Sequence, residues 1–202
     1  MSSLPDQVFM DHARALESAY VETDDPIEQS GFSGGRERWV VERSPLVDAI
    51  DNDGSFLDVG CANGLLAEDV VAWARLRGFS IEPFGVDLGR GLIELARQRH
   101  ETHQDNFYLA DAWQWGPDRT WTFVYSLLDL SPTDLHCVWL SRLTRWVEPG
   151  GRLIVGSYGS RSRNISPEPV ADIMARCGLA LDGRSSARES ELTRFAWSTV
   201  GF

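Results

Sequence analysis

Three aspartates stand where their side chains could meet a single ligand. Asp58 lies in "FLDVG", Asp87 in "FGVDLG" and Asp111 in "LADAW", each at the end of a short apolar run that is typical of a buried β-strand. Ligands of open α/β sheets bind beyond the carboxyl ends of the strands. One acid at such an end is more often a turn or capping residue, but three in succession predict a binding site.

The turn after the first of these strands, "GCANG", lets a ligand approach the backbone because Gly60 and Gly64 carry no Cβ. It lacks the G-x-G-x-x-G spacing of dinucleotide sites, since Ala62 stands between the two glycines. Asp58 would also repel a pyrophosphate bound at this turn. A ligand with an adenosine half and a cationic half avoids that repulsion, and S-adenosylmethionine is such a ligand.

The other two acids have specific expected roles. A carboxylate can accept two hydrogen bonds from a ribose diol, which suits Asp87 at the end of the second strand. Leu88 is expected to cover one face of the adenine, while Asp111 and the backbone N–H of Ala112 are expected to bond its polar edge. Trp113 could stack on the same ring, and a place in the core is an equal alternative.

Strand and helix signals alternate from residue 51 onward, which predicts right-handed crossovers and a parallel sheet. The last two apolar segments have no helix between them, so they are expected to pair antiparallel at one edge. The fold class predicted is an open, doubly wound α/β fold with a mostly parallel seven-stranded sheet and an N-terminal helical extension. The predicted strands are 56–60, 81–89, 106–113, 121–130, 152–159, 179–188 and 193–202. The predicted helices between them are 65–78, 91–101, 131–147 and 166–178, the last capped by Ser166.

Two regions are expected: an N-terminal helical extension with a lid, residues 1–50, and a cofactor-binding core, residues 51–202. Helical spacing predicts helices over about 5–20 and 37–50, the second bent by Pro45. Between them, "SGFSGG" combines glycines that can bend with an aromatic residue, which predicts a lid that closes over the site. The alternative is that the first helix simply covers the end of the sheet. The expected lid side chains are His12, Tyr20, Phe32 and Trp39.

The net charge of the chain disfavours some classes of binding partner. A formal net charge of −11 and a pI near 4.7 oppose binding to nucleic acid or to anionic membrane, which needs clustered basic residues. No apolar run is long enough to span a bilayer, and the N-terminal residues lack the pattern of a signal peptide. We therefore expect a cytoplasmic protein without nucleic-acid or membrane partners. The sequence leaves its oligomeric state open.

The cysteines give no sign of a metal or disulfide framework. Cys61, Cys137 and Cys177 are an odd number and lack the paired spacing of metal ligands, and the four histidines lack it too. No metal site is predicted. The absence of a disulfide pattern indicates a reducing compartment.

Four segments of the chain form a series: "LDVGCANG", "GVDLG", "LADAW" and "WVEPGGRLIVGS". Their order and spacing over about residues 55–160 resemble the motif series of class I S-adenosylmethionine-dependent methyltransferases, especially the small-molecule type. Two positions depart from that series: Ala62 stands for its middle glycine, and Thr122 for an acid at the start of the fourth strand. The resemblance implies S-adenosylmethionine as cofactor, with contacts at Asp58, Gly60, Cys61, Gly64, Asp87, Leu88, Asp111, Ala112 and Leu127.

Methyl transfer mainly requires that the acceptor atom and the methyl group be aligned. An acceptor that still carries a proton also benefits from a general base. Asp129, in "SLLDLSP" after the fourth strand, is the candidate catalytic residue, and capping of the helix expected near Ser131 is its alternative role. Tyr158 and Arg161, after the fifth strand, could contact the acceptor or belong to a plain loop.

The function predicted is transfer of a methyl group to a small-molecule acceptor. The segment "LLDL" stands where methyltransferases that act on base amino groups carry an "NPPY"-like tetrad, which disfavours a nucleic-acid substrate. A second possibility is a regulatory protein that binds the cofactor without catalysis, because no base is obvious. A nicotinamide-dependent oxidoreductase is disfavoured by Asp58, which opposes a pyrophosphate.

Overall fold

The protein is described by a computed structural model that covers residues 4–160, 164–187 and 192–201. Within these ranges, helices alternate with strands as expected from the apolar runs and the turns between them. The helices are α1 (Gln7–Val21), α2 (Gly35–Arg43), α3 (Leu65–Leu76), α4 (Arg90–Arg99), α5 (His136–Thr144) and α6 (Val170–Arg176). The strands are β1 (Gly54–Val59), β2 (Ile81–Asp87), β3 (Phe107–Leu109), β4 (Trp121–Leu127), β5 (Val147–Tyr158), β6 (Gly183–Ser185) and β7 (Thr193–Thr199).

The strands form one seven-stranded sheet in the order β3-β2-β1-β4-β5-β7-β6. All neighbours run parallel except β7, which is antiparallel to both β5 and β6. The predicted fold class is confirmed, including the antiparallel pair at the edge. The strand order reverses between β1 and β4, and the carboxyl ends on either side of that point flank the crevice in which ligands of such sheets bind.

Both faces of the sheet are covered, and its central strands are mostly apolar, as expected for strands buried on both sides. The first five residues of β4 are buried, with Trp121 and Tyr125 among the largest fully buried side chains. On one face they pack with α5 and α6, and on the other with the segment that precedes β1. This rigid centre holds the loops that follow β1, β2 and β4 in fixed relative positions.

The N-terminal segment is helical, as expected, but its second half belongs to the main core. Ile27, Phe32 and Trp39 are buried against Phe56 of β1 and neighbouring side chains. The Asp69 carboxylate of α3 accepts hydrogen bonds of 2.6 and 2.5 Å from Arg36 and one of 2.6 Å from Trp39 Nε1. These contacts join α2 to α3. A boundary at residue 50 and a moving lid both stay predictions.

Several element boundaries differ from those expected, and prolines explain two of them. The second predicted helix stops at Arg43 and continues as a 3₁₀-helix, Ser44–Ala49, because Pro45 cannot donate to an α-helical ladder. The last helix begins at Val170 rather than at the predicted cap, Ser166, since Pro167 and Pro169 keep the intervening chain extended.

Two further elements are shorter than expected. The predicted third strand, 106–113, shrinks to β3 because the Asp111 carboxylate accepts the Trp113 N–H at 2.9 Å and turns the chain. The helix expected from Ser131 begins at His136, after a 3₁₀ turn over Thr133–Leu135. In the described part of the chain, none of the helices combines the length and apolar character that crossing a membrane requires.

The expectation that the cysteines form no disulfide is wrong. Cys137 of α5 and Cys177, which follows α6, are joined by a disulfide, and their Cα atoms lie 5.0 Å apart. The two residues are 40 positions apart, and packing of α5 against α6 brings them together. Cys61 is the buried free thiol that makes the count odd. The argument for a reducing compartment, which depended on the absence of disulfides, therefore loses its support.

Candidate active site

A cavity of about 240 Å³ lies at the carboxyl ends of β1, β2 and β4, beneath α1. Seven of the ten residues predicted to bind cofactor or act in catalysis line it: Gly60, Asp87, Leu88, Asp111, Ala112, Leu127 and Asp129. The other three, Asp58, Cys61 and Gly64, lie behind its wall. Two of the three strand-end acids, Asp87 and Asp111, therefore line one cavity, whereas Asp58 does not. The individual roles of these residues stay predictions.

Asp87 is held firmly at the end of β2. Its Oδ2 accepts a hydrogen bond of 2.9 Å from the Ala62 N–H, and its Oδ1 accepts one of 2.8 Å from the Gly89 N–H. Each carboxylate oxygen has a second lone pair, so both remain able to accept from a diol. Burial raises the pKa of Asp87, and the two backbone N–H groups partly oppose that rise.

The glycine turn after β1 is folded back against β2. The N–H groups of Gly60 and Cys61 both donate to the Val86 carbonyl, at 2.8 and 3.2 Å. Gly60 has φ +80°, and a Cβ there would lie 2.6 Å from Cδ1 of Leu130. Ala62 also takes a left-handed conformation, φ +44°, although it has a side chain. Ala62 lines the cavity. It is the residue that replaces the middle glycine of the methyltransferase motif.

Asp58 is a buried acid without a partner. Its side chain is 3% exposed, and no group in the described part of the chain donates a hydrogen bond to it. It stands between Gly85 of β2 and Tyr125 of β4 in the sheet. Burial, together with the nearby charge of Asp87, raises the pKa of Asp58 to about 8. A nearby cation would favour its ionised form, so the residue suits a positively charged ligand.

The opposite end of the cavity is aromatic. Trp113 is 5% exposed, stacks on Trp139 at 4.6 Å between ring centres, and donates from Nε1 to the Leu130 carbonyl at 3.0 Å. Trp113 both lines the cavity and belongs to the core, and its stacking on the adenine stays a prediction. The Asp111 carboxylate is turned toward the backbone of its own loop through Trp113 N–H, and its Oδ2 accepts from Gln114 at 2.9 Å.

Cys61 and Gly64 contribute backbone geometry rather than cavity surface. The Cys61 thiol packs against Phe107 and neighbouring apolar side chains, and burial raises its pKa well above the ordinary value. The carbonyl of Gly64, the residue before α3, lies 3.0 Å from Nε2 of His100. Cofactor contacts at these two positions stay predictions.

Asp129 lies in a 3₁₀ turn directly after β4, where it lines the cavity and is exposed to solvent. It does not cap α5, whose N-terminus carries no side-chain cap. Partial desolvation by the surrounding protein raises the pKa of Asp129, while its own backbone N–H and the charge of Arg43 oppose the rise.

At the end of β5, Tyr158 meets two residues that the sequence did not single out, Tyr125 and Arg43, and none of the three lines the cavity. The hydroxyls of Tyr125 and Tyr158 are 2.7 Å apart, and Arg43 of α2 lies over the Tyr158 ring. The only signal in the sequence is the spacing of Trp39 and Arg43, four residues apart on one helix face. Tyr158 is thus part of a polar cluster, while Arg161 lies outside the described residues.

Helix α1 covers the cavity. Phe9, Met10, Glu17 and Tyr20 line it from above, and Glu17 Oε1 accepts a hydrogen bond of 2.7 Å from Gly91 N–H in the first turn of α4. Glu17 was not singled out in the sequence. Of the expected lid side chains, Tyr20 faces the cavity, Phe32 and Trp39 are in the core, and that of His12 lies outside the described residues.

A family model described as a methyltransferase domain matches residues 34–194. The chain belongs to this family. It is a class I S-adenosylmethionine-dependent methyltransferase, which confirms the expected enzyme class and the expected cofactor. No curated protein sequence matches the chain.

Solved structures show the same fold at low sequence identity. The N-methyltransferase NodS from Bradyrhizobium japonicum WM9, solved with S-adenosyl-L-homocysteine, has a TM-score of 0.64 and 18% identity, covering 96% of this chain and 98% of that one. The magnesium protoporphyrin IX methyltransferase from Synechocystis PCC 6803, solved with bound S-adenosylmethionine, has a TM-score of 0.61 and 16% identity over 98% and 99%. A putative methyltransferase from Haloferax volcanii, solved with the Trm112 activator, has a TM-score of 0.68 and 15% identity over 94% and 98%.

S-adenosylmethionine suits the residues present. Asp87 keeps acceptor capacity for a diol. Asp58, behind the cavity wall, receives no hydrogen bond from the described residues, and a cation in the cavity would favour its ionised form. The left-handed Gly60 brings bare backbone to the cavity wall. A diphosphate would meet four acids here, Glu17, Asp87, Asp111 and Asp129, and no basic side chain is among the described residues that line the cavity.

Proposed function

We propose that this methyltransferase acts on a small-molecule acceptor. The observation that carries the proposal is the cover that α1 forms over the cavity, with Phe9, Met10 and Tyr20 facing inward. The covered space, about 240 Å³, is smaller than the roughly 300–1,000 Å³ of typical ligand pockets. The cover formed by α1 narrows the way into the cavity, which favours a small acceptor over a nucleic acid or a folded protein.

The cofactor supplies a methyl group on a good leaving group, and the residues of the chain hold and orient the reactants. We assign the ribose to Asp87, the adenine edge to Asp111 and Ala112, and the cationic end to Asp58. In this arrangement the acceptor binds on the β4 and β5 side, near Leu127 and Asp129. Alignment in a covered site is the main contribution of the protein, because it replaces a bimolecular encounter.

Asp129 acts as general base when the acceptor carries a proton. The residue lines the cavity, and partial desolvation raises its pKa toward the range in which a carboxylate can usefully accept a proton. In this role Asp129 receives the acceptor proton as the new bond to carbon forms. The alternative function is binding of the cofactor without catalysis, in which case Asp129 would have no effect beyond stability.

Ligand binding and turnover test the proposal together. S-adenosylmethionine and S-adenosylhomocysteine should raise the melting temperature, whereas NAD should not, because only ligands that bind the folded state stabilise it. Labelled methyl groups should then be transferred to members of a metabolite panel and not to tRNA, DNA or unfolded protein. Binding without transfer to any acceptor would favour the regulatory alternative. The cytoplasmic location also stays a prediction, which cell fractionation would test.

A further inference from the structure

Arg43, the last residue of α2, is buried in an aromatic enclosure. Its side chain is 7% exposed, and its guanidinium carbon lies 3.3 Å from the ring centre of Tyr158. The rings of Phe32 and Trp39 lie at 4.6 and 5.1 Å from the same carbon. Such stacking stabilises the charge through the faces of the rings, but it leaves the N–H groups at the edge of the guanidinium unused.

No residue in the described part of the chain accepts a hydrogen bond from Arg43 or pairs with it as an ion. Other arginines nearby are satisfied: Arg36 is bidentate to Asp69, and Arg142 donates to the Ala112 carbonyl at 2.8 Å. A buried guanidinium without acceptors is unfavourable. None of the Arg43 nitrogens is sealed off, since Trp121 Nε1 is the one enclosed and unpartnered atom among the described residues. Each nitrogen of Arg43 therefore keeps some accessible surface and an unused donor.

Arg43 does not line the cavity itself, but through Tyr158 it lies at the β4 and β5 side, where we place the acceptor. Tyr158 ends β5, and Asp129 follows β4, both at the carboxyl edge of the sheet. The charge of Arg43 acts on both residues, opposing the desolvation that raises the pKa of each. Asp87 and Asp111, assigned to the cofactor, lie at the ends of β2 and β3, on the other side of β1.

We propose that Arg43 binds a carboxylate of the methyl acceptor, so that the substrate is a small carboxylic acid methylated at a nearby atom. This inference depends on the proposed small-molecule function. The planar guanidinium matches a carboxylate in bidentate fashion, and its stack on Tyr158 fixes the plane. A monoanion is favoured over a phosphate dianion because the negative charges of Asp129 and Glu168 lie close by.

A binding experiment with matched probes tests this. The wild-type protein saturated with S-adenosylhomocysteine is titrated with benzoate and hexanoate and with their amides, benzamide and hexanamide, by ligand-observed NMR. We expect each acid to bind about tenfold or more tightly than its amide. Arg43→Gln should abolish the preference, and Arg43→Lys should restore only part of it. Arg38→Gln, on the same helix and also stacked on Phe32 at 5.2 Å, should keep it.

A purely structural Arg43 predicts different results. The substitution would then reduce the stabilisation by S-adenosylhomocysteine and affect acids and amides equally. Acids that bind wild-type protein no better than amides, or not at all, would overturn the inference, as would tighter binding of phenyl phosphate than of benzoate. Methyl transfer is a separate test of the proposed function, and transfer to macromolecules only would overturn the small-molecule function. The ratio of affinities for the acids and their amides would still decide the role of Arg43.

Discussion

The Ala62 N–H donates a 2.9 Å hydrogen bond to Oδ2 of Asp87, and thereby ties the turn after β1 to the end of β2. The residue that occupies the family's middle glycine position thus helps to orient the acid that we assign to the ribose. Its left-handed backbone is what aims the N–H at the carboxylate. If Asp87 binds the ribose as we propose, the conformation of the turn after β1 also affects cofactor recognition, through this hydrogen bond.

Asp87→Asn should weaken binding of S-adenosylhomocysteine by roughly 10- to 100-fold, because charge-assisted hydrogen bonds to the ribose become neutral ones. The amide group also cannot accept on both sides, so one of the bonds from Ala62 and Gly89 is lost. Calorimetric titration measures the change. Asp105→Asn, an exposed position, is the control, and equal affinities in the two variants would refute the ribose assignment.

The raised pKa of Asp58 makes stability depend on pH. The folded protein keeps this proton up to about pH 8, whereas an unfolded aspartate loses it near pH 3.8. The unfolded state thus binds fewer protons between these values, and stability falls as pH rises through that window. Asp58→Asn should remove this loss and be more stable than wild type by at least about 1 kcal/mol at pH 8.

Urea unfolding at pH 5, 6, 7 and 8 measures this difference, which should grow with pH. The charge of Asp87 affects the pKa of Asp58, so the change of stability with pH reflects the titration of both residues together. A difference between wild type and Asp58→Asn that stays constant over this range would show that Asp58 is already ionised in the folded protein.

Asp58 should also make the relative affinity for S-adenosylmethionine and S-adenosylhomocysteine depend on pH. S-adenosylmethionine carries a positive charge that S-adenosylhomocysteine lacks, so it gains more from an ionised Asp58. The ratio of the two affinities should shift toward S-adenosylmethionine between about pH 6.5 and 8.5. In Asp58→Asn the ratio should not change with pH. Parallel titrations at three pH values provide the test.

Glu17 connects the cover helix to the cofactor end of the cavity, because it accepts from Gly91 N–H at the start of α4. Glu17→Ala should cost about 1 kcal/mol of stability, the typical value of a capping contact. It should also weaken cofactor binding severalfold and make α1 more sensitive to protease. Glu22→Ala, at the exposed end of the same helix, should have neither effect. Unchanged protease sensitivity would mean that α1 is held by its apolar contacts alone.

Much of the fold could be predicted because local patterns and long-range packing agree. Buried strands such as β4 are mostly apolar runs, which the sequence shows directly. Asp87 and Asp111, at the ends of two strands, indicated where the cavity lies. The contacts that could not be predicted are made by helices whose packing position does not follow from the local sequence pattern. Glu17 and Arg43 reach the site from the N-terminal helices, and no spacing in the sequence relates them to Asp87 or Asp129. Cys137 and Cys177 likewise meet only because α5 packs on α6.

Reduction of the Cys137–Cys177 bond should destabilise the protein by roughly 3 kcal/mol, since it closes a loop of about 40 residues. Methyl transfer should be unaffected at moderate temperature, because neither cysteine lines the cavity. Thermal unfolding with and without reductant, compared with the double variant Cys137→Ser and Cys177→Ser, gives the measurement. If reductant leaves the melting temperature unchanged, the cysteines are not joined in solution.

Asp129→Asn should lower kcat by about 10²- to 10⁴-fold if this residue accepts the acceptor proton. Binding of S-adenosylhomocysteine should change little, because Asp129 follows β4, and β1 lies between β4 and β2, which ends at Asp87. Asp134→Asn, exposed in the next turn, is the matched control. Turnover equal to that of wild type would show that alignment suffices and that no base is needed from this residue.

The insertion of β7 between β5 and β6 has a consequence for biosynthesis. β6 leaves the ribosome before β7, yet β7 is its neighbour in the sheet, so β6 has nothing to pair with until residues 193–199 have followed. Until then the edge of β5 is an open template for other chains. Nascent chains stalled in this interval should engage chaperones more strongly than the finished protein does.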